Sequence, residues 1–159
     1  MEHIIYTQEQ FDLDITKLIK QLEDEDFKPE LIVGIMRGGI IPAVHLSHLL
    51  GCPAKAIEWS TRDSLVRDHK ALDKIAIMAE QGIKVLIVDD IVDSGKTIKE
   101  IKQRMFDTEE NVRYASLWFN PSQEVEVDFW CNAVNRATDE RWVYMPWETK
   151  MEEMCDGTI

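Results

Sequence analysis

The stretch Val85-Leu86-Ile87-Val88-Asp89-Asp90-Ile91-Val92-Asp93-Ser94-Gly95-Lys96-Thr97 decides the fold. Four apolar residues, three of them β-branched, run into two adjacent acids. Such a run is the pattern of a strand buried on both faces of a parallel sheet. Asp89 and Asp90 then lie at its C-terminal edge, where open α/β sheets place ligands. Ser94, Gly95, Lys96 and Thr97 open the next helix. The first N–H groups of a helix lack intrahelical partners and favour an anion such as phosphate. One short segment thus offers paired carboxylates for hydroxyls or a metal, a third carboxylate at Asp93, and a phosphate cradle. The bland alternative is a strand-turn-helix with Asp and Ser as capping residues. Three acids within five residues argue against it, because they repel one another unless a cation or hydroxyls sit among them.

A second buried strand is expected at Leu31-Ile32-Val33-Gly34-Ile35. It feeds Met36-Arg37-Gly38-Gly39 and then an apolar helix from Ile40 to Gly51, with Pro42 in its first turn and Gly51 as its C-terminal cap. Arg37 supplies forked donors for phosphate oxygens, and two glycines let the backbone approach a ligand closely. In a parallel sheet this turn and the 90–97 loop can sit side by side, which makes two local signals one site. His45 and His48 share a helical face, but no third metal ligand is in view.

Elsewhere the periodicities alternate between strand and helix. Thr7 and Gln10 have the spacing of a capping box, ahead of Phe11, Ile15, Leu18 and Leu22 at helical intervals with Asp12, Asp14, Lys17 and Lys20 between them. The acidic run 23–26 reads as a solvated turn. Lys55 to Trp59 reads as a strand, and the polar 60–70 segment as a flexible lid or a surface loop. Residues 71–81 fit a helix, though Ile75-Ala76-Ile77-Met78 also passes as a strand. A helix from Thr97 to Phe106, a strand from Val112 to Phe119 and an alternating edge strand from Val125 to Trp130 follow, then an aromatic ending and, over 149–159, a stretch with little apolar periodicity that reads as a tail. The expectation is a single α/β domain over 1–159, with a mainly parallel sheet flanked by helices.

Composition narrows the function classes. The chain has 30 acids against 18 Lys and Arg, a formal charge of −12. That opposes general nucleic-acid or anionic-membrane binding, so any attraction for a phosphate must be local. Cys52, Cys131 and Cys155 form no C-x-x-C motif, and no apolar stretch is long enough to span a bilayer. With no signal-peptide pattern at Met1, a cytoplasmic location is expected.

Residues 85–97 resemble the motif that binds 5-phosphoribosyl 1-diphosphate (PRPP) in type I phosphoribosyltransferases. Leu31 to Gly51 resembles their pyrophosphate-loop region. Trp142…Pro146-Trp147-Glu148 is similar to the ending of bacterial xanthine-guanine and hypoxanthine phosphoribosyltransferases. The resemblance spans most of residues 30–148. It implies transfer of a phosphoribosyl group from PRPP to a 6-oxopurine such as guanine, xanthine or hypoxanthine, giving a nucleoside monophosphate and pyrophosphate in purine salvage. Asp89 and Asp90 would hold the ribose hydroxyls, with Asp90 also near Mg²⁺. Asp93 would act as general base or acid at purine N7. Residues 94–97 would cradle the 5′-phosphate, and Arg37 and Gly38 would bind pyrophosphate. Trp142 would stack on the base, with the backbone at Val143 reading its edge. The resemblance further implies a cis peptide at Met36–Arg37, a hood over the reacting centre from the 60–70 loop and the C-terminal segment, and the exposed-looking aromatics suit a dimer or tetramer.

One departure stands out. The family pattern Phe-x-Lys-Pro reads Trp118-Phe119-Asn120-Pro121 here, with the uncharged Asn120 in place of the Lys. Asn120 is the residue expected to meet the base, and its amide suits an oxo or an amino group. A phosphoribosyltransferase for another base, or a non-catalytic PRPP-binding regulator, is therefore the rival reading. A P-loop NTPase is excluded, because the glycine required five residues before Gly95-Lys96 is Asp90.

Overall fold

The computed structural model describes residues 2–61, 66–105 and 108–148. Five strands form one parallel sheet: β2 (Leu31–Met36), β3 (Ala54–Glu58), β4 (Val85–Val92), β5 (Val112–Phe119) and β6 (Phe129–Ala133). Their order across the sheet is β3-β2-β4-β5-β6. Two three-residue strands, β1 (His3–Ile5) and β7 (Trp142–Tyr144), form a separate parallel pair. The helices are α1 (Gln8–Asp24), α2 (Ile40–Leu50), α3 (His69–Glu80) and α4 (Lys96–Arg104).

Alternation along the strands explains why the central runs are continuously apolar. Leu86 and Val88 face the layer made by α1 and α2, with Phe11, Ile15, Leu18 and Leu46. Val85 and Ile87 face the opposite layer, with Leu72 and Ile75 of α3 and Ile98 and Ile101 of α4. Ile32 likewise faces the first layer, and Leu31, Val33 and Ile35 the second. A strand with helices on both faces has no solvent side to advertise.

The α1 capping box forms: the Gln10 N–H donates to Thr7 Oγ1 at 3.2 Å and the Thr7 N–H to Gln10 Oε1 at 2.9 Å. Gly51 closes α2 with a left-handed φ of 67°. The segment after the expected lid is helix, from His69 to Glu80 with Gln81 as its C-terminal cap, because Leu72, Ile75, Ala76 and Ala79 bury one face and Asp68 caps the Ala71 N–H at 3.0 Å.

Three expectations need correction. Asp14 is not a solvent-facing spacer; it is 2% exposed and accepts from Tyr6, Lys17 and Asn132. Burial and this carboxylate raise the Tyr6 phenol well above its usual value. The edge strand occupies 129–133 rather than 125–130. Before it, the Gln123 side chain bonds both main-chain groups of Val125, while Asp128 meets Tyr114 of β5 twice, donating its N–H to the Tyr114 carbonyl and accepting the Tyr114 N–H on its carboxylate. The helix after the acid-rich loop runs from Lys96 to Arg104 with Met105 as its C-terminal cap, so it stops short of the expected end at Phe106, which itself lies outside the described residues. The 149–159 tail and residues 62–65 of the expected lid lie outside them as well.

Strand order places the site. From β2 the chain crosses to β3 on one side and then to β4 on the other, so the order reverses between β2 and β4. The crevice at the carboxyl ends of these two strands is the usual ligand position of such sheets.

Candidate active site

β2 and β4 pair only from Leu31↔Val85 to Gly34↔Val88. Beyond Val88, β4 continues along β5 while β2 turns away at Arg37. Asp89 and Asp90 therefore sit on a strand with one open edge. Asp89 Oδ1 accepts the Asp90 N–H and Asp90 Oδ1 accepts the Ile91 N–H, each at 2.9 Å. These bonds give two successive main-chain donors side-chain partners.

The turn 37–39 closes over that edge. The Met36–Arg37 peptide is cis. A Cβ on Gly38 would overlap the Asp90 carboxylate, and one on Gly39 would meet the Asp89 Cα at 2.8 Å. Only glycine lets the two loops approach this closely. Burial raises the Asp90 carboxyl above its ordinary range, and the nearby Glu148 charge adds to the rise. A desolvated acid with a like charge beside it lacks a countercharge, which a cation would supply.

Gly95 caps α4 with φ 76°, a left-handed conformation that places the first helical turn against the loop. Gly95 has no side chain to cap this N-terminus, and the Lys96 N–H makes only a long 3.4 Å bond to Ser94 Oγ, which suits the helix start to an anion. Thr97 Oγ1 lies 3.1 Å from Thr61 Oγ1, so the root of the 60–70 segment reaches the cradle. That root is anchored on α4: Arg67 and the Trp59 indole N–H both donate to Glu100, at 2.6 and 2.8 Å. The Arg67 hydrogen bond holds the Glu100 carboxyl below its usual range; burial opposes it, and the Trp59 bond adds to the lowering.

All these groups open onto a cavity of about 920 Å³. It is lined by Arg37, Gly38, Asp89, Asp90, Asp93 and Ser94 to Thr97 on one side. His3, Trp142, Tyr144, Trp147 and Glu148 line the other. Trp142 is 42% exposed, and its indole N–H donates to Glu148 at 3.3 Å. Glu148 also accepts the Met145 N–H at 3.0 Å, which closes the aromatic ending on itself. His45, considered as a metal ligand, instead packs edge-on against Phe11.

Two expected base-binding residues are buried. Val143 pairs with Ile4 and turns its side chain into the core between the cavity-lining Trp142 and Tyr144, which leaves only its backbone for the edge contact expected of it. Asn120 is 5% exposed and its amide is used within the protein. Its Nδ2 donates to the Asp93 carbonyl at 3.0 Å, and its Oδ1 accepts from the Ser122 and Arg136 N–H groups. The expectation that Asn120 meets a base is corrected by this arrangement: both ends of the amide tie loops together.

Arg136 was not singled out from the sequence. Its Nε donates to Asp93 Oδ1 at 2.9 Å, with both side chains about four-fifths buried at 18% and 20% exposure. No spacing signal leads from Arg136 to Asp93; only the fold brings them together.

The family model for the phosphoribosyl transferase domain matches residues 3–154. The chain belongs to that family. It is an enzyme of the phosphoribosyltransferase class. It is 30% identical to the xanthine-guanine phosphoribosyltransferase of Gluconobacter oxydans over 122 residues, covering 74% of this chain and 68% of the relative. The corresponding protein of Cereibacter sphaeroides is also 30% identical, over 129 residues, covering 76% and 70%. Among solved structures, a purine phosphoribosyltransferase from Pyrococcus horikoshii superposes with a TM-score of 0.72 at 29% identity, covering 94% of this chain and 96% of that one. A Helicobacter pylori xanthine-guanine-hypoxanthine phosphoribosyltransferase shares the fold at a TM-score of 0.73 and 24% identity, covering 98% and 99%. The α/β architecture expected from the sequence is the family's, and the kinship favours purine metabolism over the regulator.

Proposed function

We propose that the enzyme transfers the 5-phosphoribosyl group of PRPP to a 6-oxopurine, releasing pyrophosphate. One observation carries this reading. A single cavity is lined by the acid pair, the phosphate cradle, the Arg37 turn, a third carboxylate at Asp93 and an exposed indole at Trp142. The first three match a phosphorylated sugar diphosphate, and the last two match a flat heterocycle that must lose a proton.

In this mechanism the helix N-terminus and Lys96 hold the 5-phosphate, and Asp89 and Asp90 accept from the ribose hydroxyls. Arg37 and the Gly38 N–H hold the pyrophosphate as it departs, the Gly39 N–H being taken by the Ile35 carbonyl at 2.9 Å. The bond from the sugar's C1 to the pyrophosphate oxygen breaks and a bond from C1 to the purine nitrogen forms. Asp93 takes up the proton the purine sheds, and Trp142 keeps the ring in plane for attack. Mg²⁺ fits the donor set, with Asp90 and Asp89 as its protein oxygens. Such an ion takes one or two carboxylates and fills the rest of its shell with water and substrate phosphate. When bound, it would neutralise the charge of the leaving pyrophosphate.

The test is pyrophosphate release from PRPP and Mg²⁺ with guanine, xanthine, hypoxanthine and adenine offered separately. Turnover with one or more of the 6-oxopurines, and little with adenine, is expected. PRPP binding without turnover of any base would sink the proposal.

A further inference from the structure

We infer that Arg136 is the positioning residue for the acceptor side of the cavity, strapping Asp93 to the segment that carries Trp142. The inference rests on the acceptor reading proposed above and adds a residue to it. Its basis is a closed ring of contacts between segments far apart in sequence. The Arg136 Nε holds Asp93 Oδ1 at 2.9 Å. The same guanidinium donates through Nη1 to the Arg141 carbonyl at 2.5 Å and the Asp139 carbonyl at 3.3 Å. Arg141 immediately precedes Trp142. Asn120 completes the ring from below, donating to the Asp93 carbonyl at 3.0 Å and accepting the Arg136 N–H at 3.1 Å.

The chemistry requires arginine here. A guanidinium presents several donors in a fixed plane, so one side chain can hold a carboxylate and two carbonyls at once. An ammonium can hold the carboxylate, but its compact head cannot span the same three acceptors. The pair is also largely screened from water, unlike the exposed ion pairs whose contribution is small. The consequence is geometric. The carboxylate that faces the cavity and the indole across from it are set by one side chain, while the cradle at 94–97 is set by the α4 N-terminus. Loss of Arg136 should therefore disturb the purine and spare PRPP.

The experiment is steady-state kinetics of wild type, Arg136→Met and Arg136→Lys with a 6-oxopurine, Mg²⁺ and PRPP, with thermal melts as a folding control. Arg136→Met should lower kcat/KM for the purine by about tenfold to a hundredfold, the range expected for losing charge-assisted hydrogen bonds. Its KM for PRPP should stay within about twofold, since no contact to the cradle is removed. Arg136→Lys should recover part of kcat while keeping a raised purine KM. Unchanged purine kinetics in Arg136→Met, or equal losses toward purine and PRPP, overturn the inference and leave the acceptor reading standing. If Arg136→Met does not fold, Arg136→Lys decides: a raised purine KM with PRPP unmoved supports the strap, and both unmoved overturns it. A wild-type enzyme that turns over no purine overturns both readings.

Discussion

The side of the cavity built at the strand edge and the side built from aromatic residues are assembled differently. At the strand edge, Asp89 to Thr97 are consecutive, and their placement follows from main-chain geometry: a strand that outruns its neighbour, a left-handed Gly95 and a helix N-terminus. The opposing turn needs only glycine to close on it. On the aromatic side, the parts are separate loops joined by side chains. Asn120 and Arg136 reach Asp93 across 27 and 43 residues of sequence, and β7 rests on a three-residue pairing with β1. A binding surface made of backbone tolerates few substitutions at its glycines. One made of side-chain straps can be retuned by single changes, at the expense of depending on each strap.

The largest expected effect is at Asp93, where the two sides meet. Asp93→Asn keeps the shape and an oxygen for Arg136 but cannot take up a proton. General acid–base groups contribute about 100-fold to 10,000-fold, so kcat should fall by at least about 100-fold. PRPP affinity measured by calorimetry should hardly move. Equal losses in both would place Asp93 with the strand-edge side and break the comparison.

Gly38→Ala comes next and acts on the other side. The added methyl would overlap the Asp90 carboxylate, so the turn or the acid must shift. Overpacking of this kind costs about 1–3 kcal/mol. PRPP affinity should drop by roughly tenfold or more on that scale. Affinity for the purine, measured with pyrophosphate present, should change less. Unchanged PRPP binding would mean that the turn does not need its glycine.

The same contrast explains what the sequence could disclose. The runs 31–35 and 85–88 are apolar because both faces are buried, and that pattern survives in one dimension. The acid pair, the cradle and the Arg37 turn were legible for the same local reason. β1 and β7 were not, since three residues carry no period. Asn120 stood at a position that resembled a base contact, yet its surroundings turn its amide inward. Arg136 lies in Asn135-Arg136-Ala137-Thr138-Asp139-Glu140-Arg141, where four charges in seven residues read as a solvated turn. Nothing in that spacing announces a buried pair, because the partner is supplied by a different strand. Of the segment expected as a lid, residues 62–65 lie outside the described residues, and at its root Trp59 bridges to Arg67, a pairing no local period announces.

Asn120→Ala should remove partners from the Asp93 carbonyl and from the Ser122 and Arg136 N–H groups together. Leaving buried polar groups unsatisfied costs about 1–3 kcal/mol, so the melting temperature should fall and the purine KM rise. A stable variant with normal purine kinetics would detach Asn120 from the aromatic side. Glu100→Gln should do less. It keeps an acceptor for Trp59 and weakens only the pair with Arg67, whose side chains are 23% and 35% exposed. For a pair so accessible the loss should be below about 1 kcal/mol and should shrink in high salt. A loss that ignores salt would point to packing at the lid root rather than charge.

The smallest effect concerns the loop that Arg136 grips. Asp139 is drawn down from its ordinary 3.8 to about 2, chiefly by the Arg141 guanidinium and then by the Arg141 N–H. A carboxyl whose value falls on folding stabilises the folded state while it is ionised. The contribution is complete above about pH 4 and fades as pH falls through about 2. Thermal melts of wild type and Asp139→Asn should therefore differ most above pH 4, with the gap closing on the way to pH 2. Both proteins carry the same remaining acids, so general acid unfolding cancels in the comparison. A gap that stays constant across that range would mean that Asp139 holds the loop by shape alone. In that case the aromatic side would owe less to charge than the Arg136 strap requires.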